Sequence, residues 1–234
     1  MKPIALLSTL ALALAGCSML PGGGDGNARS GEAGRAASAP GPRVAAPLPV
    51  ANTAAGAQCL SSLGQSGVRF DPLPDQYRAQ GCSTLGTVQV HALRGDSGDL
   101  GISNIGPVTC PVSAAFAAWA RFGVDRAARQ IMGSPLAGIQ TMGSYACRDV
   151  AGTGRRSAHA TAAAIDIGGF VLADGRRISV LTGWNGTPQE REFLRTVQRS
   201  ACRRFNTVLG PDYNAAHHDH LHVEGVTDGN SYCR

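Results

Sequence analysis

Two short stretches hold the residue types from which a chemical site is built. "HHDHLHVEG", residues 217–225, carries four of the chain's six histidines. "SAHATAAAID", residues 157–166, carries another, His159, and places Asp166 between Ile165 and Ile167. An aspartate in such an apolar run is costly unless its charge is matched, and a bound cation would match it. His220 and His222 stand two apart, so on a strand they project from one face. If that strand lies beside the one carrying Asp166, then His159, Asp166 and His222 converge as two imidazoles and one carboxylate. That donor set suits zinc, and three protein ligands leave the open position that separates catalytic from structural zinc sites. A metal so held acidifies water to a pKa of about 7 and polarises a carbonyl. A hydrogen-bonded structural network would read the same way, so the surrounding elements have to be considered.

Those elements are legible in outline. Residues 83–93 alternate apolar and polar from Val88 onward and read as a strand. Residues 111–132, alanine-rich with apolar residues at helical spacing, read as the first main helix. Residues 136–148 read as a strand ending near Cys147, and the Gly-rich polar stretch 149–156 as a loop. Asp174-Gly175 between two apolar runs signals a hairpin. Thr187, Pro188 and Glu190 give an N-cap, a first-turn proline and a capping box, after which Phe193, Leu194, Val197, Ala201 and Phe205 share one face. The last strand would hold residues 219–225. Helices interleaved with hairpin strands make an α+β domain with a small, mostly antiparallel sheet.

The ends set the context. Residues 1–16 have one lysine and then an apolar stretch too short to span a bilayer, the layout of a secretory signal. Leu14-Ala15-Gly16-Cys17 resembles a bacterial lipobox, which implies cleavage before Cys17 and its lipidation; Ser18 after it points to the outer membrane, with the chain facing the periplasm. Residues 17–58, rich in Gly, Ala, Pro and Ser, read as a disordered tether spanning about 35 Å, and residues 59–234 as one domain. The net charge of +5 is scattered rather than clustered, and with export it argues against a nucleic-acid partner. Six cysteines remain after Cys17, an even set that implies three disulfides in an oxidising compartment. None has CxxC spacing, so none is assigned to metal. Cys59–Cys82 and Cys202–Cys233 are the expected pairs, because they would pin the two ends of the domain.

The pattern S-x-H-x-x-x-x-A-x-D at Ser157, His159, Ala164 and Asp166, followed by H-x-H at His220 and His222, resembles the zinc D-alanyl-D-alanine carboxypeptidase and dipeptidase superfamily. Within it, "YACR", "SAHATAAAIDIGGF", "LADGRRISV", "GW" and "LGPDYNAAHHDHLHVEG" look like the bacterial extensin-like C-terminal domain family, over essentially all of residues 59–234. The resemblance implies a hedgehog-like zinc peptidase fold and one zinc on His159, Asp166 and His222. It also implies that His220 stabilises a developing oxyanion, that Asp219 stands where the dipeptidases have a glutamate base, and that Arg148 polarises the carbonyl or holds substrate. In a regular strand Asp219 would point away from His222, so that role needs a kink before His220. His217 gains no role. The superfamily usually has glycine where this chain has Ala162, a costly change if the position needs a positive φ. The implied activity is hydrolysis of peptide bonds in peptidoglycan stems or crosslinks. Metal binding is not catalysis, however, and a non-catalytic wall-binding or scaffold lipoprotein, with zinc or without it, is the alternative.

Overall fold

The computed structural model describes residues 52–234; the expected signal segment, Cys17 and the tether up to residue 51 lie outside the described residues. In chain order the elements are α1 (Ala54–Gln65), β1 (Arg69–Pro72), β2 (Gln76–Ala79), β3 (Cys82–Thr84), β4 (Thr87–Arg94), β5 (Asp99–Ser103), β6 (Val108–Thr109) and α2 (Cys110–Trp119). They continue with β7 (Leu136–Gly143), β8 (Ala164–Leu172), β9 (Arg177–Ser179), α3 (Val180–Gly183), α4 (Pro188–Ala201), β10 (Thr207–Leu209), β11 (Leu221–Glu224) and β12 (Tyr232–Cys233).

The order β1-β4-β5-β7-β8-β11-β10-β12, with β6 on β4 and β9 on β8, makes a ten-stranded sheet, larger than the small one expected. Several strands of two or three residues, too short to carry a readable alternation, account for the difference. Every pairing is antiparallel except β5 with β7 and β10 with β12, as the hairpin-rich sequence implied. β2 and β3 form a separate ribbon, because the 83–93 stretch breaks at Leu85-Gly86, where Gly86 has a φ of 58°.

Helix α2 begins at Cys110 and runs on through two π-helical stretches, 120–125 and 128–132, to a left-handed Gly133, which closes the expected 111–132 helix. The capping box of α4 is present: the Thr187 hydroxyl accepts from the Glu190 N–H, and Glu190 accepts from the Thr187 N–H. Phe193, Leu194, Val197 and Ala201 are buried on one face, as is Phe205 just beyond the helix. Trp119 joins α2 to α4, donating its indole N–H to the Val197 carbonyl and the Ser200 hydroxyl. Its edge contacts with Phe170 and Phe205 place sheet and helices in one core.

Three boundaries differ from expectation. Helix α1 starts at Ala54, inside the segment read as tether to residue 58, because Thr53 caps it and Leu63 buries its side chain in the core. β7 ends at Gly143 rather than near Cys147, since the chain turns there at a φ of 124° and the Ser144 hydroxyl donates to Pro107. Three disulfides form and Cys202–Cys233 is one of them, but Cys59 pairs with Cys110, and Cys82 with Cys147. The first correction follows from α1 packing on α2; the second ties the β2–β3 ribbon to the segment entering the 149–156 loop. Loops of 31 to 65 residues are closed this way, each contributing about 4 kcal/mol by the chain-entropy relation.

Candidate metal centre

β8 and β11 lie side by side and antiparallel, with His222 directly opposite Asp166. Ile165 and Ile167 on β8, and Leu221 and Val223 on β11, are buried in the core. Strand alternation therefore turns Asp166, His222 and Glu224 to the other face. His159 reaches the same place from a 3-10 turn, 158–161, whose start is capped by the Ser157 hydroxyl accepting from the His159 N–H. That turn closes on Ala162 at φ 54°, ψ 28°, so the position does take the left-handed conformation that glycine would adopt more cheaply.

The three residues converge. His159 Nε2 lies 3.2 Å from Asp166 Oδ2 and 3.2 Å from His222 Nδ1, and His222 Nδ1 lies 2.9 Å from Asp166 Oδ1. Four-coordinate zinc with bonds near 2.0–2.1 Å needs donors about 3.3 Å apart, so the spacing fits. The remaining ring nitrogens are engaged: His159 Nδ1 donates to the Ser144 carbonyl at 2.8 Å, and His222 Nε2 donates to Glu224 Oε2 at 3.2 Å. Each imidazole is thus fixed with its other nitrogen facing Asp166, as in metal sites where an outer hydrogen bond sets tautomer and orientation. The donor set, its spacing and its supports all fit a metal such as zinc.

The electrostatics agree. Burial alone would raise the Asp166 carboxyl, but hydrogen bonds from His159 and His222, together with their charge, hold it far below the usual carboxylate range. Burial alone would lower His222; its hydrogen bonds to Asp166 and Glu224 outweigh that and raise it to about 9. Glu224 is lowered, chiefly by the same bond from His222.

His220 stands just before β11, its Nε2 3.5 Å from Asp166 Oδ1 and its Nδ1 donating to Asp219 at 2.8 Å. The chain turns at residues 218–219, which supplies the departure from strand geometry that Asp219 required. The outcome is that Asp219 engages His220, the bond that chiefly lowers its carboxyl. Arg148, His220 and His222 line a cavity of about 680 Å³, whereas Asp219 is not on its wall.

Sequence reading missed two wall residues. Glu224 was findable, because it stands two after His222 on one strand and so shares its face. His217 lines the cavity with its Nδ1 donating to Asn214 Oδ1 at 2.7 Å; burial, then the charges of His220 and His222, lower it to about 4. No local pattern announces that placement. The Ser144 carbonyl that fixes His159 is main chain and leaves no trace in residue type. His218 is exposed and bonds the Ala215 carbonyl.

Comparison with curated proteins and with solved structures finds no match. A family match covers residues 57–234 and so takes in the whole site: the chain belongs to the extensin-like protein C-terminus family.

Proposed function

We propose that the chain is a zinc-dependent hydrolase of the bacterial cell envelope that cleaves peptide bonds in peptidoglycan stems or crosslinks, with a core of the hedgehog-like zinc peptidase type. The observation that carries this reading is the His159–Asp166–His222 donor set, each imidazole fixed from behind and His222 opening onto a cavity that His220 and Arg148 also line. The N-terminal sequence supports the envelope, and the resemblance in the two motifs supports the substrate class.

Bound zinc would supply a Lewis acid for the scissile carbonyl and acidify the attacking water. The chain's own residues do the rest. Asp219 holds the Nδ1–H of His220, leaving Nε2 to accept a proton beside the metal trio and pass it to the departing amine. Arg148, on the cavity wall, binds the substrate carbonyl as its oxygen gains negative charge. Glu224 and the Ser144 carbonyl keep the two imidazoles in position.

The position of Asp219 favours one alternative, a metal-holding wall-binding module, because its carboxylate is spent on His220 and is not on the cavity wall. Metal analysis of protein purified without chelators, followed by mass spectrometry of muropeptides, decides between them. About one zinc per chain and shortened stems or opened crosslinks are expected; zinc with unchanged muropeptides supports the binding module, and no metal defeats both.

A further inference from the structure

The cavity has two chemically different walls. One carries Arg148 and Arg155 on the segment that follows Cys147. The other, lined by Asn206, Thr207, Leu209, Tyr213, Asn214 and Tyr232, presents amide, hydroxyl and aromatic groups, with no carboxylate or guanidinium among these six residues. Two of the chain's exposed large side chains, Tyr213 at 40 % and Tyr232 at 47 % exposure, stand on this second wall. Their rings meet edge to face at 6.2 Å. Tyr213 is braced by the His217 ring at 5.4 Å and Tyr232 by the Arg234 guanidinium at 5.0 Å. Asn206, Thr207 and Asn214 lie beside them. The Asn206 amide, the Thr207 hydroxyl and both tyrosine hydroxyls make no hydrogen bond to another described residue.

Exposed aromatic faces are informative where exposed polar groups are not, and here they border a candidate reaction centre. An apolar side chain laid on the two rings would leave the amide and hydroxyl groups beside it without partners, which costs affinity. A ring with an apolar face and a rim of hydroxyls satisfies both features at once. We infer that this wall is a saccharide subsite, so that the substrate is a glycopeptide whose sugar ring packs on Tyr213 and Tyr232 while its peptide reaches the metal trio. The inference rests on reading the cavity as a substrate site, and it names the part of the substrate that the peptide chemistry leaves open.

Chitotriose, a neutral sugar oligomer, tests it by saturation-transfer NMR and calorimetry on the full chain, zinc-loaded and chelated. Binding in the low-millimolar range is expected in both states, weakened about tenfold by Tyr213→Ala or Tyr232→Ala, the size of an aromatic contact. Should an alanine variant misfold by circular dichroism, the Asn206→Asp variant serves instead and should also weaken binding. Absence of saturation transfer to the zinc-loaded wild type, or binding indifferent to all three substitutions, overturns the subsite and leaves the hydrolase reading standing. A chain that binds chitotriose but no zinc would do the reverse.

Discussion

Asp125 and Asp166 are both acids embedded in this fold, and they are satisfied in opposite ways. Asp125, fully buried at the end of the first π-helical stretch, accepts from the backbone N–H groups of Asp96 and Leu136, each at 3.0 Å, and pairs with Arg129 at 3.3 Å. Its charge is matched entirely by the chain, with a fixed cation and fixed donors. Among the described residues, the Asp166 carboxylate is paired with imidazoles, those of His159, His220 and His222. Those are groups whose protons come and go near neutral pH. A carboxylate answered by arginine and main chain is a structural joint; one answered by imidazoles, their outer nitrogens fixed, has the donor set that the proposed exchange of protons for a metal requires.

The largest effects separate the two residues directly. Asp166→Asn should weaken zinc binding by about 100-fold or more, with the fold intact by circular dichroism. Asp125→Ala should do the converse, costing about 3–5 kcal/mol of stability by stranding Arg129 and the Leu136 N–H, with zinc retained by the protein that folds. Equal loss of metal in the two variants, measured by metal analysis alongside urea unfolding, would erase the distinction.

Proton–metal exchange is the next test. Because His222 is raised to about 9, zinc must displace its proton at neutral pH, and affinity should climb about tenfold per pH unit before levelling near that value. Competition with a chromophoric chelator between neutral and alkaline pH reads this; a flat profile would mean that His222 is not a ligand. In zinc-free protein the sign reverses. The raised His222 contributes stability that is complete below its ordinary value of about 6.5 and is lost as pH rises through about 9.

The smallest effect concerns Ala162. Glycine there would relieve a left-handed φ of 54°, worth about 1 kcal/mol, and would remove a buried methyl worth about 0.8 kcal/mol. Ala162→Gly should therefore change stability by less than about 0.5 kcal/mol in thermal unfolding. A larger gain would show that the chain carries real strain in the turn that holds His159.

Much of this was open to sequence alone. The capping box at Thr187, the apolar face of α4 and the hairpin at Asp174-Gly175 depend on neighbours within a few residues, so the local pattern carries them. That Asp166 and His222 share a face was legible because strand alternation fixes it, and Glu224 obeyed the same rule unnoticed; His159 joins them from a 3-10 turn, where no such rule applies. Tertiary structure decided what sequence separation hides. Which cysteines meet depends on α1 packing against α2, not on closeness in the chain, and so Cys59 finds Cys110. Whether Asp219 faces the cavity or His220 depends on a turn at residues 218–219. The carbonyl of Ser144 fixes His159, and a main-chain atom has no signature in residue type. Sequence determined the donor atoms and the faces they occupy; the fold alone decided their orientation and what stands opposite them, because both depend on contacts between segments far apart in the chain.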